Sequence, residues 1–170
     1  MIVKLGEGVL NTPYGRYREV LFYDGQKETI VMILGDVAGH KDVLCRVHSA
    51  CIYGHYFSSS ECDCREQMKA AQKLIQTAGK GVIILLDQEG KGNGHFALMK
   101  STLYKNEGSK QAGAYEKAGF SRDNRDFRCA AKVLKALHVL SVKLITDNPA
   151  KTNTLEDHGV SVNGIISTGK

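Results

Sequence analysis

Three of the five cysteines in this 170-residue chain fall within one short stretch, RVHSACIYGHYFSSSECDC (46–64), spaced Cys51-x10-Cys62-x-Cys64. Thiolates at that spacing can converge on one soft divalent ion, and three protein ligands leave tetrahedral zinc a fourth position for water. A closed structural site would instead take a fourth protein ligand, which His48 or His55 could supply. The plain alternative is three reduced, part-buried small hydrophobes, because a C-x-C pair alone is not diagnostic. An odd, clustered set of cysteines makes a poor disulfide framework.

A second group is the glycine-rich stretch Asp87–Gly94 (DQEGKGNG), directly after the apolar run Gly81–Leu86 (GVIILL). Glycines let backbone N–H groups approach an anion, and open α/β sheets bind ligands at the carboxyl ends of their strands. Taken alone, such a stretch is equally a surface turn. A third group is Thr146 and Lys151, which flank Asp147-Asn148-Pro149. That tripeptide reads as a helix start, with Asn148 as N-cap and Pro149 at the first helical position, where phosphate is well received.

These residues need a scaffold. Residues 2–48 read as strand-rich: Arg16–Tyr23 and Glu28–Leu34 flank a hairpin turn at Asp24-Gly25, and Val43–His48 is a further strand. Thr12-Pro13-Tyr14-Gly15 reads as a turn leading into the first hairpin. Met68, Ala71, Leu74 and Ile75 recur at helical spacing in Arg65–Ala78, with Gly79 as the stop. Cys62 and Cys64 would then sit at that helix's N-terminus, where the dipole favours thiolate. Gly81–Leu86 and Val142–Thr146 read as buried strands, Val160–Ile166 as a last one, and helices are expected at Phe96–Tyr104, Gly113–Ala118 and Asp126–Leu137. The expected fold is α/β, a layered, largely parallel sheet flanked by helices with an N-terminal antiparallel strand-rich portion, in a single domain over 1–170.

Composition narrows the partners. Hydrophobic content of 42% and charged content of 24% are ordinary for a soluble globular chain. No apolar run approaches the ~20 residues of a membrane helix, and no signal-peptide layout opens the chain, so the cytoplasm is the expected address, with no membrane partner. A net charge of +5 favours anions. The basic residues are dispersed and Trp is absent, which favours a small-molecule nucleotide over nucleic acid.

Taken together, TPYG (12–15), GDVAGH (35–40), RVHSAC (46–51), CDC (62–64), QEGKG (88–92), AGF–DNRDF (118–127) and TDNPAK (146–151) resemble the GTP cyclohydrolase II family, in family order across nearly the whole chain. The resemblance implies a zinc hydrolase on Cys51, Cys62 and Cys64 that opens the imidazole ring of GTP at C8, then releases formate and pyrophosphate, with Mg²⁺ on the triphosphate. It places Asp123 as acid/base and Arg125 at the pyrophosphate-releasing step. Arg46, Val47, His48, Ser49, Gln67, Glu89, Gly90, Lys91, Thr146 and Lys151 match nucleotide-contacting positions, and the family is typically a homodimer. Cations at 46, 91 and 151 suit phosphates, and Glu89 can accept hydrogen bonds from guanine. By chemistry alone, Asp123 and Arg125 would read as a solvated surface pair.

The chain also departs from the family. Ala50 stands where HSEC has glutamate, Glu61 and Arg65 reverse the charges around the cysteine pair, and Lys110-Gln111 replaces an Asp-Thr pair. The family's Lys-x3-Tyr after the glycine loop becomes Leu98 and Thr102 without a gap, whereas Lys100 and Tyr104 keep the spacing two residues later. Two residues turn a helix by about 200°, so the ungapped register puts Thr102 in the pocket and Tyr104 away from it. Such changes suit a different end-point, a cyclohydrolase-II-like protein acting on another base, or a catalytically silent zinc- and nucleotide-binding protein.

Overall fold

The computed structural model describes residues 1–168; the last two positions of the expected 1–170 domain lie outside the described residues. Seven strands form one sheet: β1 (Val3–Thr12), β2 (Gly15–Tyr23), β3 (Glu28–Leu34), β4 (Val43–Ser49), β5 (Gly81–Leu86), β6 (Ser141–Ile145) and β7 (Ser161–Ile166), in the spatial order β1-β2-β3-β5-β4-β6-β7. The β1–β2, β2–β3 and β3–β5 pairings are antiparallel, whereas β5–β4, β4–β6 and β6–β7 are parallel. β5 is therefore the seam between an N-terminal meander and a parallel α/β half.

Side-chain alternation along the strands feeds two cores. On one face Val31, Ile33, Val47, Val82, Ile84 and Leu144 pack with Ala130, Val133 and Leu134 of α5 (Arg128–Ala136) and Leu155 of α6 (Pro149–Asp157). On the other, Tyr17, Ile83 and Ile145 meet Ala71 and Ile75 of α2 (Cys64–Ala78). Thus GVIILL is buried on both faces, as its unbroken apolar run requires. Two further helices, α3 (His95–Asn106) and α4 (Gln111–Lys117), pack on each other through Ala97, Leu98 and Tyr115.

Several boundaries differ from the sequence reading, each for a local reason. Thr12–Gly15 is the β1–β2 turn itself, with Thr12 Oγ1 donating to the Gly15 carbonyl and accepting from the Tyr14 amide. Val3–Thr12, inside the stretch read as strand-rich, is a strand exposed over most of its length. α5 starts at Arg128 rather than Asp126, because the Asp126 carboxylate accepts the Arg128 amide and pairs with its guanidinium. A one-turn helix, α1 (Ile52–His55), stands between the cysteines, where none was expected. Among the described residues no helix is long and apolar enough to cross a membrane.

Gly81 shows how closely α2 sits on the seam. A Cβ there would lie 2.7 Å from Ile75 Cγ1 and 2.9 Å from the Leu44 carbonyl oxygen, and Ile75 is fully buried. Gly81→Ala is expected to cost about 2 kcal/mol, a fall in Tm of roughly 4–8 °C, checked by thermal unfolding.

Candidate active site

The parallel half ends in a cavity of about 740 Å³ lined from the carboxyl ends of β4, β5 and β6: Ser49, the 88–91 turn and Thr146–Pro149. Its floor holds the cysteines. Cys51 caps α1, Cys64 opens α2, and the three sulfurs lie within 4.8 Å of one another, with Cys51 and Cys62 at 3.3 Å. Three thiolates on one tetrahedral zinc would stand ~3.8 Å apart, given bonds of ~2.3 Å, so the donor set fits. Hydrogen bonds from Cys51 and then Cys64 pull the Cys62 thiol far below its usual range, while the same bonds hold the other two thiols up. One negative charge shared by three sulfurs is the state from which a divalent cation displaces protons.

Among the described residues no fourth His, Cys, Asp or Glu joins the three sulfurs. His48 Nε2 and His55 Nε2 lie 2.9 Å apart and bond to each other, and neither belongs to the sulfur cluster. Arg46 Nη2 donates to His48 Nδ1, which leaves His48 Nε2 as the donor to His55. Burial, with the Arg46 charge adding, pushes His48 down to about 3, so it remains neutral.

Two cations are buried beside the sulfurs. Arg46 and Lys151 are only 3% and 5% exposed. Their hydrogen bonds go to neutral acceptors: Arg46 to the Ile145 carbonyl, His48 and Gln67, and Lys151 to the Val47 carbonyl at 2.7 Å. Burial pushes Lys151 down to about 7, with the Arg46 charge adding. Charges held so deeply need an anion nearby, and the cavity they line is where one would enter.

The glycine loop and the 121–125 segment are stitched together. Gly90 and Lys91 are both left-handed, at φ 60° and 54°, and an Asn124 amide bonds the Lys91 carbonyl at 2.8 Å. Gly92 (φ 81°) admits no side chain, since a Cβ would lie 2.4 Å from the Asn124 carbonyl oxygen. A lysine held at positive φ is strain of the kind stored at functional loops. This stitching brings Asp123 and Arg125 to the cavity, with Arg125 largely covered and Asp123 still exposed. Arg125 is 17% exposed at its side chain and grips Asp123 through Nε at 2.8 Å and Nη2 at 2.5 Å. Burial alone would raise the Asp123 carboxyl, but the bonds and charge of Arg125 outweigh it and hold the group below the usual range.

Of the residues read from sequence, Arg46, Ser49, Gln67, Glu89, Gly90, Lys91, Thr102, Thr146 and Lys151 line this cavity with the cysteines, Asp123 and Arg125. Val47 and His48 do not: Val47 alternates into the opposite core and offers only its carbonyl, and His48 lies beneath the cysteine loop. Glu89 accepts the Ile52 amide at 2.7 Å and so fixes α1 beside Cys51. Thr102 lines the cavity and Tyr104 does not, the placement expected of the ungapped register. Sequence reasoning noted the reversed charge of Glu61 but not its partner, Lys105 of α3 at 3.0 Å, and it missed Tyr115 of α4. It also missed Gly54, although a glycine three residues after Cys51 was visible.

Gly54 lets the sulfurs meet. A Cβ there would lie 2.9 Å from Cys62 Sγ and 3.5 Å from Cys51 Sγ. Gly54→Ala is expected to weaken zinc binding by about 10–100-fold, measured by competition with a chelator. Lys151 gives a second expectation. With a folded value of about 7 against 10.5 unfolded, it costs stability that grows as pH falls from 10.5 to 7 and levels off below. Lys151→Met should therefore raise Tm at pH 7, by about 1–2 kcal/mol or roughly 2–8 °C, with the gain fading towards pH 10.5.

Comparison with known proteins agrees with this arrangement. The model of the family described as GTP cyclohydrolase II matches residues 4–167. The GTP cyclohydrolase-2 of Pseudomonas syringae pv. tomato is 36% identical over 163 residues, 95% of this chain and 80% of that protein. That of Aeromonas hydrophila is 34% identical, over 95% of this chain and 83% of that protein. The riboflavin biosynthesis protein RibBA of Phocaeicola vulgatus is 37% identical over 89% of this chain, which spans only 38% of its length. Among solved structures, RibBX, a two domain 3,4-dihydroxy-2-butanone 4-phosphate synthase from A. baumannii, covers 99% of this chain and 40% of its own at a TM-score of 0.55 and 14% identity, a likeness of fold. Matched from residue 4 to 167, with its three sulfurs converged at the ends of parallel strands, the chain belongs to the GTP cyclohydrolase II family and is a hydrolase.

Proposed function

We propose that this protein opens the imidazole ring of GTP, or of a closely related purine nucleotide, by zinc-dependent hydrolysis with release of pyrophosphate, and that formate release lags behind. The observation that carries the reading is one cavity floored by three convergent sulfurs and walled by two buried cations and the Asp123–Arg125 pair. Cys51, Cys62 and Cys64 would hold the zinc, which acidifies water into a nucleophile near neutral pH. Arg46, Lys91 and Lys151 supply the charge for the phosphates, with Mg²⁺ as the triphosphate's own counter-ion. Arg125 lies towards the pyrophosphate-releasing step, and Asp123, kept ionised by that guanidinium, serves as its proton acceptor.

The end-point follows from α3. Thr102 faces the cavity where the family carries tyrosine, and its hydroxyl donates to the Met99 carbonyl at 2.7 Å, so it is spent within the helix. Ring opening leaves a formamide, and a second hydrolysis needs that amide held in place. Misplacement of about 1 Å costs roughly 100-fold. The same changes at Leu98 and Thr102 support a second reading, a related cyclohydrolase acting on another base. Exposed Phe96, Met99 and Leu103 along α3 support the homodimer, which solution mass tests.

The deciding experiment is mass spectrometry of products from zinc-loaded protein offered a nucleotide panel, with formate followed in time against ring-opened product. Ring-opened formamide should build up ahead of formate, and Thr102→Tyr should raise formate yield. Stoichiometric formate at the rate of ring opening in the unaltered protein would remove the end-point proposal; no ring opening of any purine would remove the main one.

A further inference from the structure

Tyr115 is a large side chain at the cavity that the proposed reaction leaves without a task. It is fully buried, yet it lines the cavity from α4, and its phenolic oxygen has no hydrogen-bond partner. Its ring is anchored among Ala97, Leu98, Tyr53 and Phe120. Its hydroxyl sits against the glycine loop: a methyl group on Gly90 would come within 3.7 Å of it. Ser101 and Gln111 stand near, neither in hydrogen-bonding geometry with it, and the Ser101 hydroxyl proton already goes to the Leu98 carbonyl at 2.7 Å. Burial raises the Tyr115 hydroxyl above its ordinary range, so it is a donor throughout the neutral region.

A buried hydroxyl without a partner destabilises a fold, and a phenylalanine would pack the same ring without that cost. The tyrosine of α3, Tyr104, does not line the cavity, whereas this one arrives from a different helix, beside the strained 90–91 turn. Gln111, the exposed first residue of α4, also lines the cavity, and a flexible side chain at a helix start swings aside at little cost. We propose that the Tyr115 hydroxyl is the donor that reads a polar acceptor on the substrate's base, reached when the bound nucleotide displaces the Gln111 side chain. This rests on the nucleotide reading above and names the residue that selects its base.

The test compares Tyr115→Phe with the unaltered zinc-loaded protein by three measurements: Tm without ligand, affinity for GTP before appreciable turnover, and affinity for inorganic tripolyphosphate. The variant should keep or raise Tm, lose about 5–10-fold in GTP affinity, and bind tripolyphosphate unchanged. Unchanged GTP affinity, equal losses for both ligands, a clear fall in Tm, or no GTP binding by the unaltered protein would each overturn the proposal. The two readings fail separately. GTP that binds through Tyr115 but is never opened removes the reaction and keeps the contact. Ring opening that Tyr115→Phe leaves untouched, with GTP affinity intact, does the reverse.

Discussion

Everything at this site depends on two positive charges placed where water scarcely reaches. Arg46 leaves β4 on the face opposite Val47, and Lys151 enters from the first turns of α6, so both end under the carboxyl ends of parallel strands. Backbone carbonyls of Ile145 and Val47 hold them, which fixes direction without neutralising charge. A fold that buries cations this way is less stable than one with apolar residues there. What it gains is a preformed demand for anions, which the sulfur of Cys64 answers from one side.

The rest of the site is arranged to keep that pair and the sulfurs in register. Glu89 ties the glycine loop to α1, and Gln67 bridges Arg46 to Asp63 in the cysteine turn, at 2.6 and 2.9 Å. Gln88 accepts the Asp126 amide and so links the end of β5 to the segment carrying Asp123 and Arg125. Each link crosses between elements far apart in the chain, so geometry at the sulfurs is set by the whole parallel half rather than by one loop. The Glu61–Lys105 pair adds a polar clasp between the cysteine turn and α3, exposed enough to be worth little in stability.

Much of this was legible in the sequence, for reasons that can be traced to residues. GVIILL announces a doubly buried strand because no polar side chain interrupts it, and Asn148-Pro149 announces a helix because both residues suit its first turn. The cysteines were legible as a cluster, and counting along the chain pointed to Thr102, which lines the cavity. What was hidden depends on non-local packing. Tyr115 reads as an ordinary aromatic in a short helix until α4 is seen lying against the glycine loop. The pairing of β3 with β5 rather than β4 is likewise invisible, since both partners are apolar and of similar length. Asp126 looked like a helix start because its capping geometry, two residues early, mimics one.

That crossing of β5 between β3 and β4 has a consequence for synthesis on the ribosome. The inner edge of β3, ETIVMIL, stays bare until β5 emerges about fifty residues later. At ordinary elongation rates that is a wait of ~3–10 s for an apolar strand with no Pro or Gly to interrupt it. β4, made in the interval and parallel to β5, is a competing partner of the right length and the right orientation. The nascent meander is thus the segment on which a hydrophobe-binding chaperone would act. Chains arrested before residue 81 should be captured by one, and chains arrested well past residue 86 should not.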